Sequence, residues 1–486
     1  MKPTRAFIGI DVGTSVLKVG IVSTHGELIS LARKSYALIT PKPGWVEADP
    51  YDWLKALDDA MQDLRPVLEE VEILGMGITG QMHTLVLVGR DGKPLTNAII
   101  WADTRAAIEV AVIRRLGPLL LGSLGNPVAS GMTVVSLLWI KNNQPALLKN
   151  SAIFLMPKDW IRYQLTGEFA TDMTDASGTL LFDIFANKWH EDLAKVLDIP
   201  LSIFPSLHES LEICGVLSNT FAARWGIRSG IPVACGCGDT PSAALGSGIA
   251  QGDILIGFGT GAQIISLTSG PVVHPENKCN TFRAATPYTW YTMAAIQNAG
   301  LAIEWAQSIL GLSWADIAQA IAEIQPGSNG VVCVPYLSGE RTPVLNEKAT
   351  ALWHGMRIGT TKLELIRACI EGVMFSIRSG FETLLEAGIR DGPIFVSGGV
   401  AANPLLAQLL ADVLNRKMFT LDISDASVLG AAMTAMCACG LVSHEDLPEF
   451  PRKKTNKSFE PQADNLYDNF YLKYCKLRDL LLEITD

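Results

Sequence analysis

The stretch "FIGIDVGTSVLKVGIV" (residues 7–22) holds one carboxylate, Asp11, between two apolar runs. The runs flank a Gly-Thr-Ser turn and read as two buried strands of a hairpin. A carboxylate buried between strands costs several kcal/mol unless it is paired or faces a cation. At a strand end, followed by Gly13 and Thr14, Asp11 can face a cleft. The N–H groups of the turn can then hold phosphate oxygens while the carboxylate faces hydrated Mg²⁺. The alternative is an Asx turn that only closes the hairpin.

A similar hairpin, "ILIGFGTGAQIISLTSG" (254–270), recurs with its turn at Gly259, Thr260 and Gly261. Here Phe258 is read in the place of Asp11. Two Gly-Thr hairpins in one chain predict a duplicated α/β core with a nucleotide cleft between the copies. The expected division lies near residue 245, giving domains over 1–245 and 246–486. Around the first hairpin, "LISLARKSY" follows a turn at 25–27 and makes a β-meander. A helix begins at Asp49 and Pro50, with Trp53, Leu57, Met61 and Leu64 on its apolar face. "EILGMGITG" is a buried strand ending at Gly80, and "IPVACGCGD" (231–239) a strand ending at Asp239.

In the second half, "GPIFVSGGVAANPLLAQLLADVLN" reads as a strand, a turn at Gly398-Gly399 and a helix opened by Asn403-Pro404. Leu405, Leu406, Leu409, Val413 and Leu414 form the apolar face of that helix. Residues 450–461 are basic and turn-rich, which predicts a solvated connector before a last amphipathic helix.

The net charge of −10 argues against nucleic acid or an anionic membrane as the main partner. A phosphate ligand stays possible, because loop N–H groups and a metal supply a local positive field. No signal-peptide core precedes the first strand. "VLGAAMTAMCACGLV" reads as a buried helix, too short for a bilayer span. The nine cysteines are scattered without a C-x-x-C pair. They predict reduced thiols in a cytoplasmic protein. No P-loop motif occurs, and no G-x-G-x-x-G opens a helix near the N-terminus.

Asp239, near the expected boundary, is a candidate base for a substrate hydroxyl. Gln81 and His83 in "GQMHT" suit a polyol, as do Asp103 and Arg105 in "WADTR" (101–105). Each could instead serve only local structure.

Together these segments resemble the FGGY family of carbohydrate kinases, and within it the xylulokinase branch. The resemblance runs through "IGIDVGTSVLKV", "GITGQMH", "IIWADTR", "MPKDWIRYQLTGEFATDMTDASGTLLFD", "CGCGD", "FGTG", "VPYLSGERTPVLNE" and "SGGVAANPLLAQLLADV". It implies two ribonuclease-H-like domains, as in actin and hexokinase, with ATP and Mg²⁺ between them. Sugar would bind mainly on the first. By position, Asp239 matches the catalytic base and Asp11 the residue facing Mg²⁺. Gly13, Thr14 and Ser15 fall in the first phosphate loop, and Gly259, Thr260 and Gly261 in the second. Gly398, Gly399 and Asn403 fall in the adenosine region. Gln81, Met82, His83, Trp101, Asp103, Arg105 and Thr240 fall at the sugar. A ketopentose such as D-xylulose is the implied acceptor, and a homodimer is implied as well. Gluconate, ribulose and glycerol-like polyols are the alternatives within the family. A nucleotide-driven machine of the actin or chaperone type, or a sugar sensor, are the alternatives to a kinase. Three positions depart from the usual pattern: Thr84 for glycine, Thr240 for asparagine and Ser136 for lysine. The first two bear on which sugar is held.

Overall fold

The computed structural model describes residues 3–423, 425–447, 450 and 454–484. Its frame is two seven-stranded sheets. In the first, β1 (Thr4–Val12), β2 (Val16–Ser23) and β3 (Leu28–Ser35) form the expected antiparallel meander. Helix α1 (Pro50–Asp63) follows. The Asp49 carboxylate accepts the Tyr51 N–H at 2.9 Å, and Trp53, Leu57 and Met61 pack into the core under the sheet. Strand β4 (Val71–Gly80) returns parallel to β1. Helices α2 (Pro157–Thr166) and α3 (Met173–Gly178) precede β5 (Ile213–Val216), β6 (Pro232–Ala234) and β7 (Cys237–Gly238). Both β6 and β7 run parallel to β4. The sheet order is β5-β6-β4-β1-β2-β3, with β7 also on β4.

The strand expected over 231–239 is therefore split. At Gly236 φ is +76°, and a Cβ there would stand 1.8 Å from the Ile78 carbonyl oxygen. Only glycine fits this kink. Beyond β7 the chain enters helix α4 (Asp239–Gly246), so Asp239 opens a helix and does not end a strand.

The second sheet repeats the plan. Strands β8 (Ile254–Phe258) and β9 (Ala262–Thr268) form the second hairpin, followed by β10 (Asn280–Arg283) and β11 (Trp290–Ile296). Helices α5 (Gly300–Leu310) and α6 (Lys362–Glu386) lead to β12 (Ile394–Gly398), parallel to β8. Then come α7 (Pro404–Leu414), β13 (Met418–Leu421), α8 (Ala426–Ala438), β14 (Lys454–Phe459) and α9 (Asp468–Glu483). The order is β10-β11-β9-β8-β12-β13-β14. Thus β8, β9, β11, β12 and β13 stand where β1, β2, β3, β4 and β6 stand in the first sheet.

Register corrects one expectation. Val12 and Phe258 each end their strands before a three-residue turn. Phe258 therefore corresponds to Val12, and Gly257 takes the place of Asp11. Two further readings change. Leu405 is 39% exposed, because it sits in the first turn of α7, on the side turned away from the core. Of the basic connector, residues 454–459 form an edge strand paired with β13; residues 451–453 lie outside the described residues. Ser458 and Lys457 face solvent while Phe459 packs against the core, so the strand covers an edge without hiding its charge.

One helix joins the halves. Helix α8 comes from the second half of the chain but lies on the first sheet, backbone to backbone. A Cβ at Gly9 would stand 2.1 Å from the Val428 carbonyl oxygen, and one at Gly77 1.7 Å from that of Ala431. Helices α4 and α8 cross as closely: a Cβ at Gly246 would stand 2.0 Å from Ala426 O, and one at Gly430 1.9 Å from Ser242 O. All nine cysteines are free, and six are buried. Among the described residues no helix is long and apolar enough to cross a membrane.

Overpacking of this kind costs about 1–3 kcal/mol. Gly77→Ala is expected to lose at least about 2 kcal/mol in urea unfolding. Gly270→Ala, with nothing within 4 Å of its Cβ, is expected to stay within about 0.5 kcal/mol of the parent.

Candidate active site

Three strand ends stand level. Val12 of β1 pairs with Gly80 of β4, and Gly80 pairs with Gly238 of β7. The segments starting at Gly13, Gln81 and Asp239 consequently leave one edge of the sheet side by side. Hydrogen bonds tie them together. The Gln81 N–H donates to Val12 O at 3.0 Å and its Nε2 to Gly13 O at 3.3 Å. The Tyr36 hydroxyl also donates to Gly13 O. Thr84, wholly buried, donates from Oγ1 to Gln81 Oε1 at 3.1 Å. Trp101 Nε1 donates to Thr14 Oγ1 at 2.9 Å, and Ser15 stays exposed beside it.

Asp11 is buried at this edge. Its Oδ2 accepts the Ser427 hydroxyl of α8 at 2.7 Å and lies 3.7 Å from Lys18 Nζ. Lys18 thus reaches Asp11, and it also stands 3.4 Å from Asp425 Oδ1. The other oxygen, Oδ1, is buried without a hydrogen-bond partner. Burial pushes the Asp11 carboxyl above the usual range, and Ser427 and Lys18 pull it part of the way back. Mg²⁺ needs only one or two carboxylates, with phosphates and water completing its shell. The orphaned Oδ1 fits that requirement.

Asp239 is the first residue of α4 and is half-buried. Its Oδ1 accepts the Thr240 N–H at 2.7 Å, with the Thr240 hydroxyl 3.4 Å away. Burial, then the charge of Asp11, pushes its carboxyl up to about 7. Such a group can take a proton near neutral pH.

The second hairpin presents an open turn. Gly259 and Thr260 are exposed. Thr260 O accepts the Ala299 and Leu301 N–H groups at 3.2 and 3.0 Å, which seats the start of α5 on the turn. Gly398, at φ +79°, lies against it: a Cβ would stand 2.1 Å from Phe258 O. Gly399 opens a single helical turn, Gly399–Ala402. Asn403 caps α7, its Oδ1 accepting the Leu405 and Leu406 N–H groups at 3.0 and 3.4 Å.

A cavity of about 350 Å³ lies between the halves. His83, Trp101 and Asp103 line it from the first half, and Phe282, Gln297 and Arg341 from the second. His83 sits at φ +67°, and the Gly178 carbonyl at 2.6 Å from Nδ1 accepts its N–H. Nε2 is left as an acceptor. Burial pushes this imidazole down to about 4, so it is neutral at ordinary pH.

Not every expected site residue meets the cavity. Arg105 grips Asp103 with Nε at 2.9 Å from both oxygens, reaches Glu47 at 2.8 Å and stacks on Trp45. Asp103 also accepts the Val46 N–H at 2.6 Å. The pair braces the wall, and the Arg105 side chain is enclosed behind it. Met82 is buried, its sulfur 3.5 Å from the Tyr291 hydroxyl, and with Gln81 it lies outside the cavity lining. The sequence assigns no role to Arg341, 5.3 Å above the Trp101 ring, or to Phe282, although Arg341 falls in the segment "VPYLSGERTPVLNE" of the resemblance. Ser427 carried no sequence signal.

Residues 6–246 match the N-terminal domain of the FGGY family of carbohydrate kinases, and residues 254–439 match its C-terminal domain. The chain belongs to this family. It is an FGGY carbohydrate kinase, and the expected resemblance is borne out. It is 33% identical to a xylulose kinase of Bacillus subtilis over 485 residues, covering 98% of this chain and 96% of that one. Among solved structures it is similar to a xylulose kinase from Brucella ovis, with a TM-score of 0.93, 29% identity and coverage of 99% and 100%. A gluconate kinase from Lactobacillus acidophilus gives the same TM-score at 25% identity, covering 99% and 98%. FGGY kinases use ATP.

A carboxyl raised to about 7 has a sign for stability. Its folded value lies above the ordinary value of about 3.9. The stability it contributes is complete below about pH 4 and is lost as pH rises through about 7. Asp239→Asn, measured without ligands in EDTA, is therefore expected to melt above the parent at pH 8. The gap should close toward pH 4.

Proposed function

We propose that this chain transfers the γ-phosphate of ATP to the terminal hydroxyl of a ketopentose, D-xylulose first, giving D-xylulose 5-phosphate. The observation that carries the reading is Asp239, poised near neutrality at the strand edge it shares with Asp11 and the Gly13-Thr14 turn. Asp239 takes the proton of the terminal hydroxyl as that oxygen attacks the γ-phosphorus in line. N–H groups of Gly13, Thr14 and Ser15 on one side, and of Gly259, Thr260 and Gly261 on the other, hold the phosphates. Asp11, with its unpartnered Oδ1, would hold Mg²⁺, which when bound would neutralise phosphate charge. Gly398, Gly399 and the Asn403 amide form the wall on which the nucleoside rests.

His83 Nε2 accepts a sugar hydroxyl, and Trp101 carries the sugar's position to Thr14. Gln81, kept in place by Thr84, holds the Gly13 carbonyl. Arg105 acts by bracing Asp103, and Met82 by supporting the floor beneath Gly238. Thr240 orients the base. The chain divides near residue 245 into a sugar-binding and a nucleotide-binding half, with α8 shared between them. Closure of the halves excludes water from the transfer. A cytoplasmic homodimer completes the reading. An aldonate such as gluconate is the second candidate, because Arg341 places a cation in the cavity wall and among the described residues has no carboxylate partner at salt-bridge distance.

Asp239→Asn is expected to lower kcat by roughly 10²–10⁴-fold. The ATP dissociation constant should stay within about twofold, measured by calorimetry. In the parent enzyme kcat/KM should rise with pH to a plateau above about 7, following ionisation of the base. An ATP-coupled assay over ketoses, polyols and aldonates decides the acceptor. Turnover of D-xylulose well above the others supports the reading, and turnover of an aldonate alone overturns it in favour of the second.

A further inference from the structure

The segment "MPKDWIRYQLTGEFATDMTDASGT" (156–179) lines no part of the cavity, yet it carries a dense cluster of buried charge. Lys158, Asp159 and Arg162 project from α2, and Asp172 and Asp175 from the start of α3. All five side chains are wholly buried. Lys158 Nζ stands 2.6 Å from Asp159 Oδ1, 2.9 Å from Asp172 Oδ1 and 3.2 Å from Asp175 Oδ2. Arg162 Nη1 donates to Asp159 Oδ1 at 2.9 Å and to the Cys235 carbonyl at 2.8 Å. Thr171 donates to the second oxygen of Asp159 and Ser210 to that of Asp172, each at 2.6 Å. Buried ion clusters are weak devices for stability, because desolvation offsets the attraction. Such clusters hold geometry through their satisfied members; here these are Lys158, Asp159 and Asp172, while Asp175 meets Lys158 at 3.2 Å and its oxygens, like Arg162 Nε, have no hydrogen-bond partner.

What this cluster holds is α3. Asp172 caps the helix, accepting the Thr174 N–H at 2.9 Å. From there α3 reaches two parts of the site and one strand of the other half. Thr174 Oγ1 accepts the N–H of Gly238 at 2.8 Å, one residue before Asp239. The Gly178 carbonyl accepts the Nδ1–H of His83. Ser177 Oγ accepts the N–H of Arg283, on β10 of the other half, at 3.1 Å. Meanwhile Arg162 holds the Cys235 carbonyl and Thr79 holds that of Cys237 at 2.7 Å. The peptide leading into Asp239 is thus gripped at 235, 237 and 238.

We propose that α3, seated on the Lys158-centred cluster, is the positioning element of the site, and that Thr174 is the residue through which it aims Asp239. The proposal rests on Asp239 being the base. Thr174 touches no substrate; it fixes the peptide whose next residue takes the proton, while the far end of the same helix fixes His83. Base and sugar acceptor are set by one rigid turn and so keep their spacing. A misplacement of about 1 Å in such a pair can cost about 10²-fold in rate.

The test compares Thr174→Val, which removes the acceptor at nearly constant shape, with Thr174→Ser, which keeps it. Asp239→Asn serves as the reference. The expected result for Thr174→Val is a fall in kcat of about tenfold or more. The KM for ATP should stay within about twofold, and the acid limb of the kcat/KM profile should move from the parent position near pH 7. Thr174→Ser should restore kcat to within about threefold. If Thr174→Val keeps the parent kcat and acid limb while Asp239→Asn is inactive, the positioning role is wrong and the base stands. If Asp239→Asn is itself active, the base assignment falls and takes the proposal with it. Should Thr174→Val not fold, Thr174→Cys replaces it, its sulfur being a weak acceptor. An intermediate kcat supports the proposal, and an unchanged one overturns it.

Discussion

Parallel pairing of β1, β4 and β7 is the constraint on which the site depends. Hydrogen bonds hold Val12, Gly80 and Gly238 level, so three segments distant in sequence leave the sheet at one edge. No side chain could bring Asp11, Gln81 and Asp239 together so rigidly, because each would need its own long loop. Loop closure and side-chain ordering would then cost entropy at every one of them. The sheet supplies the alignment through backbone bonds that the fold needs in any case.

That alignment has an electrostatic cost. It puts two carboxylates in a part of the protein shielded from water, and each disfavours the charged form of the other. The protein meets this unevenly. Asp11 is given a lysine and a hydroxyl, which favour its charge, yet one oxygen is left without a partner. Asp239 is given neutral N–H and hydroxyl donors and, among the described residues, no cation, so burial and the charge of Asp11 raise its carboxyl to about 7. Two like groups in unlike surroundings thus differ in how readily each gives up its proton.

Close backbone packing couples the halves. Helix α8 crosses the first sheet over Gly9 and Gly77 and crosses α4 at Gly246 and Gly430. It also carries Ser427, the partner of Asp11. A shift of the second half relative to the first is therefore felt at Asp11. The cavity is shared in the same way, since Phe282 and Arg341 face His83 and Trp101 from the opposite half.

Much of this was legible in the chain itself. Hydrophobic period and Gly-Thr turns were enough for both hairpins, the meander, the α1 cap and the duplication, because strands and caps depend on near neighbours. Asp239 could be picked out by its place after an apolar run. The sequence did not reveal that this run breaks at Gly236, since the cause is the carbonyl of Ile78 in another strand. Nor did it reveal that Arg105 is spent on Asp103 and Glu47, that Lys18 reaches Asp11, or that α8 lies on the far sheet. Residues 454–459 read as a connector because their composition is basic, and became a strand because β13 offered an open edge. Local pattern determined which elements form and which residues are chemically able. Only the tertiary structure decided which of those residues face one another, because burial, charge and backbone contact between distant segments are properties of the folded arrangement.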